Sequence, residues 1–179
     1  SMPYWKSRGL RGSALEEIIN LTNDKYLSQN LALIQKIPTP IKPIEISKET
    51  RHITLAYFEK KSTVDYIGAV QGVPVCFDAK ECSKDTFSLQ NIHSHQLEFM
   101  NNFEKQGGIS FVLIYFSERD EYYYLRLEVI NEYFDNVKKG EPGNIKYKDL
   151  DKEYFIRKKN GLYVHYLEIL GKDISLRNK

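Results

Sequence analysis

The chain has 179 residues, close to one domain, and is long enough to bury a core without staples. Hydrophobic residues make up 41% and charged residues 28%, which excludes a disordered or fibrous chain. With 26 basic and 24 acidic residues the net charge is +2, so bulk charge singles out no partner.

The first twelve residues carry Lys6, Arg8 and Arg11 and no acid. They read as a basic arm suited to a polyanion, or as a plain solvated terminus. This start lacks the apolar core of a signal peptide. Ser13 with Glu16 three residues later forms a capping box, so the first helix is expected to begin at Ser13. Leu15, Ile18, Ile19, Thr22 and Tyr26 then share one helical stripe. Glu16 has a second assignment, as a carboxylate on a helix that reaches a site on the sheet; capping is the first reading. Leu31 to Ile37 reads as a strand. Pro38, Pro40 and Pro43 follow, three of the six prolines, and forbid both helix and central strand. The segment from Pro38 to about Phe58 is therefore read as an extended excursion, uncommon in a compact domain and often functional. Lys42, Lys48, Arg51 and Phe58 lie on it.

Ser62 to Val70 and Val73 to Lys80 are β-rich runs separated by Gln71-Gly72, the mark of a two-residue hairpin. With Val70 facing Val73, Asp65 falls opposite Asp78 and Thr63 opposite Lys80, all on one face. Opposed carboxylates repel, and a divalent cation between them removes the conflict. Oxygen ligands suit Mg²⁺, with Mn²⁺ as the alternative. Lys80 adds a positive charge at the same point. This set meets the needs of phosphodiester hydrolysis; a polar face with each aspartate paired to a lysine is the plainer reading.

Cys76 and Cys82 on this hairpin make neither a disulfide framework nor a four-ligand zinc site, and a reduced, cytoplasmic protein is expected. A helix is expected from about Leu89 to Gln106, stopped by Gly107-Gly108. Gln96 lies in its otherwise apolar stripe with Ile92, Phe99 and Phe103, where its amide needs partners: a water or metal at the hairpin site, or core backbone. His93 and His95, two apart on a helix, diverge by ~200° and make a poor zinc pair. Contact with DNA phosphate, a hydrogen bond behind the metal ligands, or simple exposure remain open for them. Ile109 to Phe116 reads as a buried strand whose strongly apolar part falls far short of the ~20 residues of a spanning helix, so no membrane partner is expected. A strand at Tyr122 to Leu127 and a helix at about Val129 to Lys138 follow. Alternating helices and strands indicate an α/β or α+β domain with a central mixed sheet.

Five stretches, in order, resemble the RecU family of bacterial Holliday junction resolvases: Arg8 to Glu16, Lys36 to Ile41, Lys61 to Gly68, Cys76 to Glu81, and Leu89 to Gln96. The similarity runs from about Arg8 to Phe116 and, more loosely, to Leu170. It implies a restriction-endonuclease-like fold, with a basic arm at 1–12 and one nuclease domain at 13–179 bearing a projecting stalk at about 38–58. It implies a homodimer cutting four-way DNA junctions by paired nicks. Thr63, Asp65, Asp78 and Gln96 fall on the family's metal positions and Lys80 on its catalytic lysine. Arg8, Arg11, Lys42, Lys48, Arg51, Phe58, His93 and His95 are carried as DNA-binding candidates, and recombinase or branch-migration proteins as further partners. Many relatives have Glu where this chain has Asp78. A sequence-specific duplex nuclease of the same fold, and an inactive junction-binding recombination partner, are the alternatives.

Overall fold

The computed structural model describes residues 5–58, 63–158 and 164–178, with side chains from Ala14 onward. In chain order it contains α1 (Trp5–Ser28), β1 (Leu33–Lys36), β2 (Ile41–Ile46), β3 (Ile53–Phe58), β4 (Tyr66–Val70), β5 (Val73–Cys82) and β6 (Thr86–Ser88). Then come α2 (Ser94–Lys105), β7 (Ile109–Phe116), β8 (Glu121–Arg126), α3 (Leu127–Lys138), β9 (Asn144–Lys146), β10 (Phe155–Ile156) and α4 (Tyr166–Arg177). The central sheet has six strands in the order β1-β4-β5-β7-β8-β10. Only β5 and β7 pair in parallel, because α2 carries the chain back across the sheet between them. Strands β2 and β3 form a separate antiparallel pair. The expected mixed sheet flanked by helices is the fold observed.

The hairpin turn follows from its residues. Gln71 and Gly72 both have positive φ, 47° and 84°, the left-handed pair that a two-residue type I′ turn requires. Val70 faces Val73 and Tyr66 faces Phe77, as the two-residue turn demands. That register fixes which face each side chain takes. Tyr66, Phe77, Phe111 and Tyr124 stack across four strands with ring centroids 4.8, 4.7 and 4.0 Å apart. On this face Tyr166 of α4 packs 5.0 Å from Phe77, and Tyr26 of α1 meets Tyr166 edge-on at 5.2 Å. Alternation sends Cys76, Asp78 and Lys80 to the other face, under α2, where Ser110 Oγ contacts Cys76 Sγ and donates to the Met100 carbonyl.

Two helix starts differ from the sequence reading. Helix α1 begins at Trp5, so Ser13 and Glu16 lie inside it and no capping box forms there. Gly9 and Gly12 weaken the segment after Pro3 without ending it, and Leu10, Ala14 and the basic residues favour a helix. The basic arm therefore overlaps α1; residues 1–4 and the side chains of Arg8 and Arg11 lie outside the described residues. The helix expected from Leu89 is a single turn at Leu89–Asn91 followed by α2 from Ser94. Ser88 caps that turn, and Ile92 and His93 are extended with ψ of 106° and 151°, which a continuous helix cannot accommodate. The stop at Gly107, with φ of 88°, is as expected. Strand β4 begins at Tyr66, and the expected start at Ser62 lies outside the described residues.

Gly68 on β4 faces Ile34 of the edge strand β1, and a Cβ there would sit 1.9 Å from the Leu33 carbonyl oxygen. Backbone cannot yield as a side chain does. Gly68→Ala is expected to cost about 1–3 kcal/mol or more by prising β1 from β4. Urea unfolding measures it, and an unchanged midpoint would contradict the close approach.

Candidate active site

The β4–β5 ladder ends at the Tyr66–Phe77 pair, and two carboxylates take over where backbone pairing stops. Asp65 N–H donates to Asp78 Oδ1 at 3.0 Å, and Ala79 N–H donates to Asp65 Oδ2 at 2.9 Å. Each carboxylate thus replaces a ladder carbonyl of the other strand. This reciprocal bond is why like charges stay together despite their repulsion. Asp78 is buried. Lys80, two residues along β5, lies with Nζ 2.8 Å from Asp78 Oδ2. The same Nζ donates to Gln96 Oε1 at 3.3 Å, and that oxygen also accepts from His93 N–H at 3.2 Å. Gln96 is buried at the start of α2, so its amide finds the partners that its apolar stripe denies it.

Burial pushes the Asp65 carboxyl up to about 6, and the neighbouring Asp78 charge raises it further toward that value. The Ala79 amide and the Lys36 charge oppose the shift. The structure thus brings Asp65, Asp78, Lys80 and Gln96 together, while Thr63 lies half-buried two residues ahead of Asp65, beyond the end of the ladder.

Glu16 of α1 is half-exposed and pairs with Lys36 Nζ at 3.3 Å rather than joining the aspartates. Lys36 and Tyr66 were not singled out from sequence. They are cross-strand partners in β1 and β4, with Lys36 Nζ 5.7 Å from the Tyr66 ring centre. Burial raises the Tyr66 phenol, as do the charges of Glu16, Asp65 and Asp78. Its hydroxyl is buried without a hydrogen-bond partner among the described residues. The β1 register could have revealed this pair, but nothing in the sequence fixes how an edge strand aligns.

His93 and His95 do not diverge as a continuous helix would require. His93 is the N-cap of α2, and the two rings stack with centroids 5.6 Å apart and planes 8° from parallel. On the β2–β3 hairpin Lys42, Lys48 and Arg51 are exposed, and Phe58 is 72% exposed. Arg51 adopts φ of 61° in the turn joining the two strands.

Among the described residues no group of three or more His, Cys, Asp or Glu side chains is placed to hold a metal ion. The donors at the ladder end are two carboxylates and an amide oxygen, the hard oxygen set that Mg²⁺ and Mn²⁺ take with water completing the shell. Burial first, and then the neighbouring Asp78 charge, raises the Asp65 carboxyl, a cost that a bound cation would relieve. The set therefore fits a divalent cation, with Asp65, Asp78 and Gln96 as the residues to hold it.

The pH dependence of this site has a definite sign. An unfolded aspartate titrates near ~3.9, against about 6 for folded Asp65. Between these values the folded state keeps a proton that the unfolded state releases, so stability falls as pH rises through the window. Asp65→Asn keeps an acceptor for the Ala79 amide and removes the charge. Without metal it is expected to stabilise the protein by about 1–3 kcal/mol at neutral pH, with the gain vanishing near pH ~4. Urea unfolding in EDTA at both pH values tests this; an equal gain at both would contradict it.

The family model for recombination protein U, RecU, matches residues 10–172. The Holliday junction resolvase RecU of Streptococcus gordonii is 38% identical over 169 residues, 92% of this chain and 84% of that protein. The Holliday junction resolvase RecU of Limosilactobacillus reuteri is 36% identical over 168 residues, 92% of this chain and 79% of that protein. Among solved structures, the Archaeoglobus fulgidus Holliday junction resolvase Hjc aligns at a TM-score of 0.42 and 9% identity, covering 66% of this chain and 74% of that one.

Proposed function

We propose that this chain, which belongs to the RecU family, is a Mg²⁺-dependent endonuclease that resolves four-way DNA junctions by paired nicks. The observation that carries the reading is the partly buried meeting of Asp65, Asp78, Lys80 and Gln96 at one end of the sheet. Asp65, Asp78 and Gln96 would hold Mg²⁺, with Thr63 beside them, and Mn²⁺ would be the natural substitute. When bound, the cation polarises a phosphoryl oxygen and acidifies water. Lys80, held between Asp78 and Gln96, presents its ammonium to the phosphoryl group and stabilises charge that builds in the transition state. Gln96 and Asp78 orient that ammonium, and α2 shields it from solvent.

Two copies act together. On β2 and β3, Ile41, Ile44, Ile46, Ile53, Leu55 and Tyr57 are each 47–57% exposed, more apolar surface than a solitary hairpin keeps in water. A second copy would cover it, and two nicks need two sites. Lys42, Lys48 and Arg51 on the hairpin, with Arg8 and Arg11 of the N-terminal segment, supply phosphate contacts that a nearly neutral chain otherwise lacks. His93 and His95 flank the site at the start of α2 and contact the same strand. No described helix is long and apolar enough to cross a membrane; action on DNA places the protein in the cytoplasm, where recombinase or branch-migration proteins would share its substrate.

The deciding experiment compares a synthetic four-way junction with a linear duplex of the same arms, in Mg²⁺ and in EDTA. Paired nicking of the junction alone, lost with Asp78→Asn, is expected. Lys80→Ala is expected to slow cleavage at least ~10²-fold while junction binding holds. Cutting of both substrates would indicate a duplex nuclease, and tight binding with no cutting an inactive binding module.

Phe58 is the most exposed large hydrophobic among the described residues. Phe58→Ala is expected to weaken junction binding by about 1–3 kcal/mol through lost base stacking, with the melting temperature unchanged. A lower melting temperature with intact binding would instead assign Phe58 to packing between subunits.

A further inference from the structure

We infer that the groove of about 500 Å³ at the N-terminal end of α2 receives base edges beside the scissile bond and sets which positions in a junction are cut, with Gln90 and Asn144 as the reading residues. This rests on the nuclease reading above and extends it from chemistry to specificity.

Position is the first argument. The wall formed by Ser88 to Ile92 runs directly into His93, whose N–H binds the same Gln96 oxygen that Lys80 contacts. That continuity joins the groove to the turn of α2 that contacts Lys80, and a strand lying over both would present its bases to the groove. The opposite wall is fixed to the first: Ser88 and Asn144 are cross-strand partners in β6 and β9, and Leu89 N–H donates to the Gly143 carbonyl at 3.0 Å. Phe134 and Val137 of α3 supply an apolar floor, which suits the flat faces of bases.

The second argument is chemical. Gln90 and Asn144 are exposed, and their side-chain amides make no hydrogen bond among the described residues. Elsewhere the protein uses amides structurally, as in the reciprocal Asn101–Asn131 pair at 2.9 and 3.2 Å. An open amide offers a donor and an acceptor side by side, the match for an adenine edge. Ser88 Oγ is already used to cap Gln90 N–H, which fixes the Gln90 backbone.

Charge is the third. Two other grooves carry more carboxylates than cations: Asp151 and Glu153 against Lys172 beside α4, and Glu104, Glu128, Glu132 and Asp135 against Lys105 and Arg177 between α2 and α3. Such surfaces repel a polyanion. The groove at Gln90 has no carboxylate in its lining.

The test maps cut positions on an end-labelled mobile four-way junction whose branch point samples many sequences, using wild type, Gln90→Ala, Asn144→Ala and Gln90→Lys with Mg²⁺. Wild type is expected to favour some positions. Each alanine variant should bind the junction and cut at a total rate within a few-fold of wild type, while favoured-over-disfavoured discrimination falls about 5- to 100-fold. Gln90→Lys should move the favoured positions toward guanine, a shift that a structural role would not produce. An unchanged cut pattern in the variants, an even pattern in wild type, or a loss of rate with the pattern kept would each overturn the inference. Wild type that cuts no junction at all would overturn the nuclease reading itself, a result distinct from any of these.

Discussion

The reciprocal bond between two carboxylates and two backbone amides is the constraint on which the site depends. Asp65 and Asp78 would separate if only their charges acted. The amides of Asp65 and Ala79 hold them across the end of the ladder, and Lys80 offsets part of the charge from the same strand. Every other element of the site is arranged around that pair. Helix α2 crosses between the parallel strands β5 and β7 so that Gln96 arrives over Lys80. The stacked rings of Tyr66, Phe77, Phe111 and Tyr124 give the opposite face of the same strands a stiff backing. Polar chemistry on one face is thus mounted on close-packed aromatics on the other.

Much of this was legible because it is local. A two-residue turn fixes register, register fixes face, and face places Asp65, Asp78 and Lys80 together without any tertiary information. The glutamine in an apolar stripe was legible for a different reason, since a buried amide must find partners. What the sequence concealed depends on longer-range or subtler terms. The start of α1 was misplaced because a capping box competes with a segment that prefers to stay helical. The break before α2 was missed because Ser88 capping a single turn leaves no periodic signal. That break turns His93 from a helix residue into an N-cap and stacks it on His95. The Lys36–Glu16 pair needed the docking of α1 against an edge strand, which no spacing rule supplies.

Distant parts of the molecule hold α2 in place. Arg177 of α4 pairs with Glu104 of α2 at 2.8 Å and with Asp173 at 2.9 Å, while Tyr124 of β8 donates to Asp173 at 2.6 Å. Glu104 also accepts from Ser110 N–H at the start of β7. One network, buried at Asp173 and Tyr124 and open at Arg177, therefore fixes the far end of α2 against the sheet. Removing one member would leave another charge buried without its partner.

The excursion that carries β2 and β3 leaves the sheet at Ile37 and returns at Asp65, and those two residues are joined by the hydrogen bond from Ile37 N–H to the Asp65 carbonyl at 2.7 Å. The base of the projecting hairpin is thus the peptide that bears a site carboxylate. A hairpin so rooted resembles a lever arm whose fulcrum is the Asp65 peptide. If the chain engages a branched junction as proposed, force on that arm would bear first on the residue that carries one of the paired carboxylates.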